Sequence, residues 1–151
     1  EKRYKRKTAF YKKTRRKFKF IWPLRGKITS GFGLRSDPFG RKRKRRFHCG
    51  IDISSDIGRP VRASLSGRVI FSGWKGKYGK IVVIRHRHGY ISVYAHNSKL
   101  IVKSKARVKQ GQVIATIGSS GRSTGPHVHY EVLINGKHVN PNKYIIAARR
   151  E

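Results

Sequence analysis

A chain of 151 residues is long enough for one domain with its own hydrophobic core, with room for a tail. Its formal charge of +32, from 38 Lys and Arg against six Asp and Glu, points to an anionic partner: nucleic acid, acidic lipid or an acidic wall polymer. The lone Cys49 excludes an internal disulfide and a four-cysteine zinc knot, and no run approaches the ~18 apolar residues that span a bilayer.

Residues 1–21 read as a basic arm or linker, extended or disordered when alone. Lys and Arg dominate it, Tyr4, Phe10, Tyr11, Phe18 and Phe20 interrupt it, and no helical or strand period is sustained. Those aromatics either stack on bases or pack on the domain that follows. A chain that begins at Glu1 and contains no methionine is expected to be a processed form or a fragment.

From Trp22 the pattern changes to short β-branched runs broken by Gly, Ser, Pro and Asn. GKITSGFG, RPVRASLSGRVIFSGW, GKIVVIRHRHGYISVYAH, ARVKQGQVIATIG and HVHYEVLINGKHV are strand-and-turn signals at close spacing. RHRHGYISVY predicts a hairpin turning near Gly89, and LINGKHV another with Asn135-Gly136 at its turn. The expected fold is all-β, a core of packed antiparallel sheet of the sandwich or split-barrel kind over residues 22–146. Residues 147–151 form a short basic tail.

Seven histidines punctuate these strands, and arrangement separates them. His48 and Asp52 are four apart, and Gly50, Ile51 and Ile53 favour an extended chain in which residues 48, 50 and 52 share a face. Cys49 then points the other way, as a small core residue. His127 and His129 flank Val128 and project together from one strand face. His86 and His88 have the same spacing, but Arg85 and Arg87 beside them repel a divalent cation, which makes them structural or surface residues.

Catalytic zinc takes three imidazole or carboxylate ligands and keeps a fourth position for water. Two histidines and an aspartate make such a set, and water bound there loses a proton near a pKa of about 7. Further histidines beside the metal can move protons or stabilise an oxyanion. No HExxH helix is present, which excludes a glutamate base of the zincin type.

HCGID, VYAH and GSSGRSTGPHVHYEV together resemble the signatures of the lysostaphin-type (LytM-like) zinc endopeptidases of bacterial cell walls. The resemblance extends in order through WPLRGKITSGFGLRSDPFG, DIGRPVRASLSGRVIFSG, VKQGQVIATIG and VNPNKYI. It implies a duplicated-hybrid-motif β-sheet core with a groove between loops. It implies that His48, Asp52 and His129 bind one zinc ion, and that His96 and His127 form a catalytic pair. The implied reaction is hydrolysis of peptidoglycan peptides, as a D,D-endopeptidase acting on cross-links in the bacterial cell envelope. Peptidoglycan, with other anionic envelope polymers, is the expected partner. All five positions carry the required residue type, unlike family members that have lost ligands and act as activators.

Two departures bear on substrate preference: the very basic RKRKRR loop at residues 41–46, and Asn97 after the VYAH histidine. Glu131, two beyond His129, either orients a ligand imidazole or is a plain structural carboxylate. GSSGRSTGP lacks the Lys-Ser/Thr ending of a P-loop and leads into a strand, so it reads as a groove wall contributing Ser123 and Thr124. Trp74, Tyr78 and Tyr94 are core or groove lining, with Tyr94 the candidate for substrate contact. One rival reading is a catalytically silent envelope-binding or hydrolase-activating domain. The other, a nucleic-acid module, lacks any helix-turn-helix, RNA-recognition or zinc-finger signature, and no specific nucleic acid is expected.

Overall fold

The structure, a computed structural model, describes residues 19–36 and 45–145. Most of the predicted arm, residues 41–44 of the basic loop, and the tail lie outside the described residues. Twelve strands fill the described chain, and the helical pieces among them are three single 3-10 turns. The strands are β1 (Lys27–Ser30), β2 (Gly33–Ser36), β3 (Arg45–His48), β4 (Ile51–Ser54), β5 (Pro60–Arg62) and β6 (Gly67–Trp74). They continue with β7 (Lys80–Arg85), β8 (Tyr90–Leu100), β9 (Arg107–Val108), β10 (Val113–Ile117), β11 (His127–Ile134) and β12 (Lys137–Val139).

One ten-stranded sheet runs β1-β4-β11-β8-β7-β6-β9, with β12 on β11 and β10 joining β8 to β5. Every strand pair in it is antiparallel, as the closely spaced turns require. β2 and β3 form a separate two-stranded sheet. Both predicted hairpins are present. In the second, Asn135 (φ 49°) and Gly136 (φ 78°) both take the left-handed conformation that a two-residue β11–β12 turn demands.

The central strand β11 divides the molecule through the period of two. Val128, Tyr130 and Val132 are fully buried and join Ile51, Ile53, Ile84, Tyr94, Ile114 and Ile117 in the main core. His127, His129 and Glu131 alternate with them and project from the opposite face. Phe20 is also fully buried, its ring 5.5 Å from His86 and 5.7 Å from Tyr90, with a backbone bridge to Ile145. The folded unit therefore reaches into the segment read as an arm and begins at least two residues before Trp22.

His86 belongs to this core and, among the described residues, joins no metal-binding cluster. Its Nδ1–H donates to the Ser66 carbonyl (2.8 Å), and its Nε2 accepts from Ser92 Oγ (2.7 Å). The chain of hydroxyls continues through Tyr94 and Ser64 to Tyr130. Burial pushes the imidazole down to about 4, against the smaller opposing effect of the Ser66 carbonyl. Between its ordinary value near 6.5 and about 4, the unfolded chain takes up a proton that the folded chain refuses. His86 therefore stabilises the fold fully above pH 6.5, and this stabilisation is lost as pH falls toward 4. Chemical denaturation at pH 7 and pH 4.5 is expected to show a loss of about 2 kcal/mol from this group. His86→Gln should flatten that difference; an unchanged acid dependence would contradict it.

Candidate metal centre

His48 and Asp52 do meet, but not as neighbours on one strand. β3 ends at His48, the chain turns at Cys49 and Gly50, and β4 carries Asp52 into the large sheet. The turn passes so close over β11 that a Cβ on Gly50 would lie 2.2 Å from the Tyr130 carbonyl oxygen. That crossing also overturns the expected place of Cys49. It is half-buried, and its thiol converges on Glu131 and His138, away from the apolar core. On β11, His129 pairs in register with Asp52 of β4, which puts the two side chains side by side.

His48 Nε2, His129 Nδ1 and Asp52 Oδ1 form a compact triangle. The sides are 3.1 Å between the imidazoles, 3.0 Å from His129 to Asp52, and 3.3 Å from His48 to Asp52. A tetrahedral ion with bonds of about 2.0–2.1 Å separates its ligands by about 3.3 Å, so the three donors fit zinc with movements of a few tenths of an ångström. The far nitrogens are already committed. His48 Nδ1–H donates to the Gly31 carbonyl (2.8 Å), and His129 Nε2–H to Glu131 Oε1 (2.8 Å). Both rings are thereby fixed with the remaining nitrogen aimed at the centre.

The electrostatics suit a cation. Burial alone would raise Asp52, yet hydrogen bonds from His129 and His48 hold its carboxyl well below the usual carboxylate range. Burial alone would lower His129, yet Asp52 and Glu131 raise it to about 9. Glu131 is itself held ionised against burial by His129 and His138. It is 2% exposed and also accepts a hydrogen bond from Tyr78 Oη (3.0 Å).

His96 and His127 complete the cluster, their rings 4.9 Å apart. His96 follows Ala95, the residue paired with His129, and takes a left-handed φ of 62° that turns the chain of β8 at this point. Such a conformation costs a non-glycine residue about 1–3 kcal/mol. Asn97 secures the bend, its buried amide donating to the carbonyls of Tyr94 (2.8 Å) and Lys80 (3.0 Å). His96 Nδ1–H donates to the Ser120 carbonyl (2.7 Å), and His127 Nδ1–H to the Gly125 carbonyl (2.8 Å). The Nε2 atoms are left for the groove, that of His127 lying 3.7 Å from Asp52 Oδ1. Burial first, then the charges of His127 and His129, lowers His96 to about 4 despite the opposing Ser120 carbonyl, so it is neutral at pH 7.

These groups lie at the floor of a groove of about 640 Å³ that Ser123 and Thr124 also line. Asp52 is the one carboxylate among its lining residues, against Arg35, Arg46, Lys77 and Arg122. Two loops cross to build one wall. Gly79 (φ 65°) and Gly121 (φ 72°) meet so closely that a Cβ on either would lie within 2.6 Å of the other's backbone. Tyr94 does not belong to the groove. It sits opposite Tyr130 on the core side of the sheet, fully buried and bonded to Ser64 and Ser92. Trp74 is 59% exposed and lies outside the groove lining. Tyr78 lines the groove, one of the two places expected for it. Its bond to Glu131, the backbone bonds of Asn97 (noted in the sequence only as a departure) and the part of His138 escape sequence reasoning, because these contacts reach 53, 17 and 7 residues along the chain.

Comparison with known proteins gives the chain its relatives. The model of peptidase family M23 matches residues 46–141. The DD-carboxypeptidase/endopeptidase Mpg of Neisseria meningitidis serogroup B is 48% identical over 115 residues, covering 76% of this chain and 26% of that protein. The murein hydrolase activator NlpD of Escherichia coli is 39% identical over 126 residues, covering 82% of this chain and 30% of that protein. The chain thus spans between a quarter and a third of these relatives' length. A crystallised zinc-containing peptidase from Vibrio cholerae superposes with a TM-score of 0.74 at 37% identity, over 81% of this chain and 39% of that one. With the match running from β3 to the end of the last strand, this chain belongs to peptidase family M23.

Proposed function

We propose that the chain is a zinc-dependent endopeptidase of peptidoglycan, cutting D,D-peptide cross-links in the bacterial cell envelope. The observation that carries this reading is the triangle of His48, Asp52 and His129 with two further imidazoles turned toward it. His48 Nε2, His129 Nδ1 and Asp52 Oδ1 would hold the ion. When bound, zinc lowers the pKa of a water toward about 7 and polarises a carbonyl.

The chain's own groups do the rest. His96, neutral at pH 7, accepts at Nε2 the proton of the attacking water. His127, when protonated, donates Nε2–H to the scissile carbonyl oxygen as charge builds there, its ring anchored through Nδ1 to Gly125. Glu131 holds His129 by its far nitrogen, and Tyr78 holds Glu131. Glu131→Gln is expected to weaken zinc binding about 10- to 100-fold, measured by competition with a chromophoric chelator. Unaltered affinity would reduce Glu131 to a structural role.

The cationic groove residues Arg35, Arg46, Lys77 and Arg122 suit a substrate bearing carboxylates. Binding to sacculi is expected to weaken as salt rises, as for any attachment between exposed charges. The resemblance to an activator supports a second reading, a non-hydrolytic envelope domain that stimulates another enzyme. Digestion of purified sacculi, with released muropeptides identified by mass spectrometry, separates the two. Monomeric peptides freed from cross-linked dimers support the endopeptidase. Release that occurs only when an amidase is added supports the activator.

A further inference from the structure

We propose that Cys49, Glu131 and His138 form a second cation site, taking a borderline or soft divalent ion such as zinc or cadmium. The thiol, one carboxylate oxygen and one imidazole nitrogen lie within 4.8 Å of one another. Glu131 Oε2 and His138 Nε2 are 3.0 Å apart, close to the spacing of about 3.3 Å between two ligands of a tetrahedral ion.

Three separate pieces of chain deliver these donors. Glu131 follows His129 on the same face of β11. His138 lies on β12 opposite Leu133, one step further along that face. Cys49 comes from the β3–β4 turn, pressed onto β11 because Gly50 leaves no Cβ between the backbones. A hydrogen bond accounts for Glu131 and His138 alone; it does not account for the thiol arriving at the same point.

Charge and donor type fit the assignment. Among the described residues, Asp52 and Glu131 are the carboxylates that the fold buries or half-buries, in a chain with only six. Sulfur, nitrogen and oxygen together select zinc, cadmium or nickel over magnesium and calcium. None of the three residues lines the groove, while Cys49 is half-exposed and the His138 side chain is 32% exposed. The ion therefore enters from a different side, and Glu131 stands between two centres: Oε1 on His129 and Oε2 at the second site.

The test uses the full chain, stripped with chelator and titrated with cobalt(II), with bound metal counted after gel filtration. Wild type is expected to bind two ions per chain and to develop a thiolate-to-cobalt charge-transfer band in the near ultraviolet. Cys49→Ser, nearly isosteric, should abolish the band and reduce the count to one. His138→Ala, which removes a direct ligand, should weaken the second ion by more than about 100-fold, beyond the 10- to 100-fold typical of a residue that only supports a ligand. A single ion without the band in wild type, or two ions retained by Cys49→Ser, would overturn the site. Failure of the first centre looks different: wild type then shows the thiolate band on its only ion, and Cys49→Ser binds none.

Discussion

Replacing His129 with alanine is expected to remove zinc from the first centre and, with it, all measurable cleavage of sacculi. Its Nδ1 lies 3.1 Å from His48 Nε2 and 3.0 Å from Asp52 Oδ1, so no ion seated among the three can spare it. The substitution also leaves Asp52 and Glu131 as carboxylates that have lost their shared partner, and breaking such a buried pair can cost about 3–5 kcal/mol. Asp52→Asn is therefore the companion variant. It keeps the shape and a hydrogen-bonding oxygen while removing the charge that faces the cation. Both are expected to lose more than about 100-fold in zinc affinity, beyond the 10- to 100-fold typical of a residue that only supports a ligand. Zinc content after dialysis against a defined chelator, read beside the denaturation midpoint, checks this. Asp52→Asn folded and holding zinc at wild-type affinity would remove Asp52 from the ligand set.

The alternation along β11 explains how much of this centre is legible in sequence. His127, Val128, His129, Tyr130 and Glu131 read as a strand with two faces, and the structure puts core on one and polar groups on the other. Short β-branched runs between glycines likewise give the all-β class, and Asn135-Gly136 gives its hairpin. What is not legible depends on where one strand stops relative to another. His48 and Asp52 look like residues of one strand, yet they belong to two sheets that meet at Gly50. Tyr94 looks available to substrate until its register with Tyr130 commits it to the core. The sign of φ at His96 has no signature in VYAH, and Asn97, a departure from the resembled pattern, is the residue whose amide fixes that bend.

Alanine at His96 or at His127 is expected to leave zinc in place and still lower cleavage by about 10²–10⁴-fold. Neither ring belongs to the ligand triangle; each is tethered through Nδ1 to a loop carbonyl, at Ser120 and Gly125, and turns Nε2 toward the groove. Loss of His96 removes the group that is neutral at pH 7 and able to take a proton from water. In the proposed mechanism, loss of His127 removes a donor for the developing oxyanion. The two act on one reaction coordinate, so the double variant should lose little more than the worse single one. Muropeptide release under single-turnover conditions, with metal counted in the same samples, gives both numbers. His96→Ala cleaving at the wild-type rate would end its role as proton acceptor. An activator makes the opposite forecast: neither histidine matters to stimulation of a separate amidase. Comparing direct cleavage with amidase stimulation across the two single variants therefore decides whether this centre does chemistry or serves as a binding surface.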